Sequence, residues 1–142
     1  MAEGPMRTAV KNREKEEDTM IVNTCFGTRD LAAAGRFYDA VLGAAGHART
    51  GESERSIFYG SQGQGAGFAV TLPYDGNPAS NGNGTMATVG VADRAAVDAM
   101  HAAALANQGT CEGPPGVREN GYYVAYWRDP DGNKMNAVSM GG

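Results

Sequence analysis

Between positions 21 and 43 the chain changes from one apolar periodicity to another. Residues 21–27 form a short apolar run of strand length. Leu31, Ala34, Phe37, Tyr38, Val41 and Leu42 then recur at helical spacing along one face. Asp30 stands just ahead of this stripe, where its carboxylate can accept the free N–H groups of a first turn, and Gly43 stands where a helix C-cap belongs. Three further short strands are predicted near 45–49, 56–59 and 67–72, separated by Gly, Ser and Gln turns. A loop at 73–83, rich in Asn, Gly and Pro, follows as a linker. The pattern then begins again. A strand is predicted near 85–91, and Asp93 precedes a helix whose inner face is Val97, Met100, Ala104 and Leu105. Strands near 110–111, 122–127 and 134–138 complete the second half. Asp129-Pro-Asp-Gly-Asn133 joins the last two as a tight hairpin, and turn chemistry explains its acidic residues better than a calcium loop does.

Asp30 and Asp93 lie 63 residues apart, each closing a strand–helix junction. Strand, helix and three strands, twice over, is an internal duplication. The fold class it predicts is α+β: two βαβββ modules, at about 20–73 and 84–140, forming an open cup-shaped mixed sheet with helices outside. One such unit leaves a sheet face uncovered, and two can share a cavity. Residues 1–19 are polar, mixed in charge and without an apolar stripe, so they are expected to form a mobile tail or a short extra helix ahead of a single domain at 20–142.

Composition narrows the function classes. The net charge is −4, the 12 basic residues are dispersed, and Lys134 is the one lysine after residue 20. Without a basic stripe no nucleic-acid partner is expected. No apolar run approaches the roughly 18 residues of a membrane span, so no membrane partner is expected and the cytoplasm is the default compartment. Cys25 and Cys111 have no C-x-x-C spacing and are expected to be small buried thiols. The stretch 60–67 is glycine-rich but opens no helix, which argues against a phosphate cradle. Of the two histidines, His101 belongs to the second helix and His47 to a turn. With no histidine on a cup strand, a Cys–His or Ser–His dyad is not expected.

The stretches MIVNTCFGTRDLAAAGRFYDAVLG, DRAAVDAMHAAALANQG and GYYVAYWRDPDGNKMNAV, taken in order, resemble the vicinal oxygen chelate superfamily of glyoxalases, extradiol dioxygenases and bleomycin- and fosfomycin-resistance proteins. The resemblance implies a cup that, in metal-using members, holds a divalent ion. One ligand comes from the first strand and one from the last strand of each half, usually His or Glu. Carried onto this chain, those positions are Asn23, Met86, Asn136 and one residue within 68–70. Two amides and a thioether bring no negative charge and suit such an ion poorly, so no metal and no cofactor are expected.

The leading expectation is a small organic molecule held in the cup. Asn23 and Asn136 would supply hydrogen bonds, while Met86, Cys25, Tyr123 and Trp127 would supply walls. Strand alternation sends only some of the aromatics at 122–127 toward the cup. Two alternatives stand beside this reading. One is a metal-dependent lyase, isomerase or dioxygenase using shifted ligands such as His47 with Glu52 or Glu54. The other is a ligand-free homodimeric scaffold; a homodimer is expected in either case.

Overall fold

The computed structural model describes residues 20–60 and 67–141. The expected tail at 1–19 and the core of the glycine-rich stretch, 61–66, lie outside the described residues. The first module comprises β1 (Asn23–Gly27), α1 (Leu31–Gly43), β2 (Ala48–Glu52), β3 (Ser56–Gly60) and β4 (Gly67–Thr71). The second comprises β5 (Met86–Gly90), α2 (Arg94–Ala106), β6 (Thr110–Val117), β7 (Tyr123–Arg128) and β8 (Lys134–Ser139). Each module folds its own open four-stranded sheet, in the orders β1-β4-β3-β2 and β5-β8-β7-β6. The first and last strands of each module pair in parallel, and the remaining pairs are antiparallel. The fold is α+β with two βαβββ modules.

Both helices start as their caps dictate. The Asp30 carboxylate accepts from the Ala33 N–H at 3.0 Å, and Asp93 accepts from Ala96 at 2.9 Å. At the other end of α1, Gly43 is the last helical residue and Ala44 the C-cap. The left-handed turn comes later, at Gly46 (φ 86°). α1 buries Ala34, Gly35, Phe37, Tyr38, Val41 and Leu42. α2 buries Val97, Met100, His101 and Ala104, whereas Leu105 is 43% exposed. Three of the four expected residues are thus buried, and His101 takes the place given to Leu105. β6 runs on through Pro114 and Pro115 because register shifts on either side of Gly113 keep the prolines out of the ladder.

The modules meet through α1 against α2 and share one core, with Phe37, Tyr38, Met100, Trp127 and Met135 fully enclosed. The Asp129–Asn133 hairpin latches onto the β1–α1 junction. Thr28 Oγ1 donates to Asp131 at 2.6 Å, the Arg29 N–H donates to Asp131 at 3.0 Å, and Asn133 Nδ2 donates to the Gly27 carbonyl at 2.9 Å. Beneath it the buried Tyr38 hydroxyl donates to Asp129 at 2.5 Å. Both cysteines are free and exposed, against the expectation of burial: Cys25 lies on the sheet face away from the helix, and Cys111 on the edge strand β6. Among the described residues no helix is long and apolar enough to cross a membrane.

Candidate functional site

Alternation along the paired strands sorts the expected site residues onto faces. In the first sheet Phe26, Ile57, Tyr59, Phe68 and Val70 turn toward α1. In the second, Ala87, Val89, Ala125, Trp127, Met135 and Ala137 turn toward α2. The opposite faces carry two matching rows, Cys25–Ala69–Phe58 and Thr88–Asn136–Tyr126. Asn23 and Met86 lie one pleat away on those same faces. Within 68–70 the register singles out one residue. Cys25 pairs with Ala69 as Thr88 pairs with Asn136, so Ala69 is the counterpart of Asn136.

Asn23 and Cys25 therefore belong to one sheet and Met86 and Asn136 to the other, on equivalent faces. Asn136 is 4% exposed, and among the described residues its Oδ1 has no hydrogen-bond partner. Asn23 lays its Oδ1 beside Gly67, 3.6 Å from where a Cβ would stand. Partial burial pushes the Cys25 thiol above its ordinary pKa, which keeps it protonated. Tyr123 and Trp127 do not join this group. Trp127 is fully buried in the core, while the Tyr123 hydroxyl donates to Asp98 on α2 at 2.6 Å under the Arg94 guanidinium. The odd positions of β7 supply the helix-facing side, so packing claims both aromatics. Tyr126, one residue over, shares the Asn136 face, with Arg118 and Lys134 at 5.5 and 5.2 Å from its ring centre.

A cleft of about 690 Å³ opens between the modules. Thr24, Tyr59 and Phe68 line it from the first sheet, Met86 and the rest of β5 from the second, and Leu42 and His47 from the end of α1 and the turn beyond. Met86 is the one expected site residue that reaches this cleft. Tyr59 presents its ring there because its hydroxyl is held elsewhere, donating to Asp39 at 2.8 Å. Burial, followed by that hydrogen bond, drives the Tyr59 pKa far up and keeps it neutral. Asp39 also takes a two-pronged contact from Arg49 at 2.8 and 2.9 Å, which lowers its pKa. The signal for Tyr59 and Phe68 was present in the alternation of β3 and β4, but only pairing partners decide which parity faces a cleft. Among the described residues no three His, Cys, Asp or Glu side chains form a metal-ligating group, and Glu52, one of the shifted candidates, pairs with Arg49 at 3.2 Å.

The profile of the Glyoxalase/Bleomycin resistance protein/Dioxygenase superfamily matches residues 21–136. The chain belongs to this superfamily. A glyoxalase/bleomycin resistance protein from Albidiferax ferrireducens T118 has a similar crystal structure, at 40% identity and TM-score 0.81, with 87% of this chain and 100% of that one covered. A glyoxalase-related enzyme from Fulvimarina pelagi aligns at 23% identity and TM-score 0.68 over 84% of this chain and 86% of its own. A lactoylglutathione lyase from Agrobacterium tumefaciens aligns at 23% identity and TM-score 0.61 over 84% and 92%. The last two likenesses concern the fold alone. No curated protein matches the chain significantly. Asn23 and Met86 on the opening strands and Ala69 and Asn136 on the closing strands offer two neutral amides, a thioether and a methyl group, none of which suits a divalent ion.

Proposed function

We propose that this superfamily member works without a divalent metal and binds a small, largely apolar organic molecule in the cleft between its modules. The observation that carries the reading is the donor set, in which Asn23, Ala69, Met86 and Asn136 offer no charge to offset the desolvation of a dication. The cleft volume of about 690 Å³ lies within the range that holds small ligands, and Phe68, Tyr59 and Met86 give it apolar walls. Thr24 and His47 supply polar groups for orientation.

The test is a thermal-shift titration with Zn²⁺, Mn²⁺ and Ni²⁺, followed by a panel of small aromatic and aliphatic compounds. A metal present at about 100 times its Kd would add about 2.7 kcal/mol of stability. The expected result is no shift with any of the three ions. A compound that does shift the transition should lose its effect in Met86→Trp, which narrows the cleft from a position already 41% exposed. Stoichiometric dication binding, or compound binding indifferent to Met86→Trp, would overturn the reading.

A second reading, a homodimer, is favoured by the surface. Phe58 and Met86, on the faces turned away from the helices, are 40% and 41% exposed, and the two rows that would share a cup lie on separate sheets. A second copy could set the Cys25–Ala69–Phe58 row of one chain against the Thr88–Asn136–Tyr126 row of the other. Light scattering should give twice the chain mass for the parent protein and the chain mass for Phe58→Glu; a monomeric parent would remove this reading. Free thiols accord with a cytoplasmic location.

A further inference from the structure

The thiol and imidazole that sequence spacing kept apart meet on the opposite side of the second sheet from Asn136. Cys111 is the second residue of the edge strand β6, and its Sγ stands 3.2 Å from Nε2 of His101 on α2. The two differ in access. Cys111 is exposed, whereas His101 is 8% exposed and lies edge-on to Trp127, with ring centres 6.5 Å apart. A base shielded from water thus sits against the thiol of an exposed residue across a half-buried contact, in the arrangement that activates a nucleophile. We propose that Cys111 and His101 form a reactive pair, a covalent modification site for electrophilic alkenes of the α,β-unsaturated carbonyl class.

The step balances without an oxidant. Sγ bonds to the β-carbon of the alkene while its proton passes to His101 Nε2. The π pair moves to the α-carbon as an enolate, and that carbon then takes the proton back, so nothing leaves. His101 must be neutral to accept the proton. Burial lowers its pKa and favours that form, with Asp98 on the same helix opposing more weakly. The other charged groups nearby, Glu112 on β6 and Arg128 on β7, pair with each other at 3.1 Å. Cys25 is an internal control on the same chain. Its thiol has no imidazole partner among its hydrogen bonds, and burial raises its pKa.

The experiment treats the intact protein with substoichiometric N-ethylmaleimide between pH 5.5 and 8.5 and maps adducts on both cysteines by mass spectrometry. Cys111 should react about tenfold faster than Cys25 at pH 7. In His101→Gln, checked for folding by circular dichroism, the Cys111 rate should fall about tenfold while the Cys25 rate is unchanged. The pH profile gives a second readout that needs no variant. A lone thiol loses about tenfold in rate per unit of acidification, whereas Cys111 in the parent should fall less steeply than Cys25. Equal rates and parallel profiles for the two cysteines would overturn the proposal, as would a folded His101→Gln variant that reacts at Cys111 at the parent rate.

Discussion

The hydroxyl of Tyr38 and the carboxylate of Asp129 come from opposite modules and meet in the interior, so removing either gives a sharp test of what holds the halves together. Asp129 accepts four hydrogen bonds: from Tyr38 at 2.5 Å, from Asn133 Nδ2 at 3.0 Å, and from the backbone N–H groups of Asp131 and Asn133 at 2.9 Å each. Tyr38→Phe deletes one donor and leaves the carboxylate with three, stranding nothing. A hydrogen bond to a charged group contributes about 1.5–3 kcal/mol, so the cost should fall at the lower end, near 1.5 kcal/mol. Asp129→Ala takes the acceptor from all four donors; Asn133 Nδ2 keeps the Gly27 carbonyl, while the Tyr38 hydroxyl and the Asn133 backbone N–H, in residues no more than 5% exposed, are stranded most fully. At about 1–3 kcal/mol per stranded group, it should cost about 4 kcal/mol. In the Asp129→Ala background, Tyr38→Phe removes a stranded hydroxyl and should cost close to nothing, giving a coupling of about 1.5 kcal/mol. Urea unfolding measures all four corners of the cycle, and the Tyr38→Phe midpoint should drop on the order of 1 M. Equal costs for Tyr38→Phe in both backgrounds would refute the argument.

Three further outcomes follow from the same geometry. A Cβ on Gly109 would stand 2.7 Å from the Ala104 carbonyl, 2.8 Å from that of Arg128 and 2.8 Å from the Phe37 ring; Gly109→Ala should therefore cost about 3 kcal/mol by urea denaturation, with a cost under about 1 kcal/mol counting against the packing. Asp30→Ala and Asp93→Ala should each cost about 1 kcal/mol, and additively, since each removes one cap from a separate helix. Asp39 has a folded pKa below its unfolded value, chiefly through Arg49, so its contribution is present above the unfolded value near 3.8 and is lost as pH falls through the folded one. Asp39→Asn should flatten the acid limb by lowering stability modestly at pH 7, the pair being partly exposed, while leaving stability below the folded pKa nearly unchanged; an unchanged limb would count against the assignment.

The duplication was legible because its markers are local. An aspartate cap followed by an apolar stripe can be read without knowing what packs on it, and Asn23 and Met86 stand 63 residues apart as their caps do. That spacing does not persist. Ala69 and Asn136 are 67 apart because the second module carries a longer, bulged β6, so the fourth cup position could not be read by offset. Tyr123 and Trp127 eluded the reading for a related reason. Aromatics occupy both parities at 122–127, and only pairing with β8 and packing on α2 decide which parity is inward. The Cys111–His101 contact depends on how α2 meets β6, a tertiary fact with no periodic signature.

The latch made by the Asp129–Asn133 turn bears on how the protein is made. Thr28 leaves the ribosome 103 residues before Asp131, its hydrogen-bond partner. At about 5–20 residues per second, the first strand–helix junction waits roughly 5–20 seconds for its fastener to be synthesised. The first module thus spends its early life unclasped, until the closing hairpin of the second module is made and secures its opening junction.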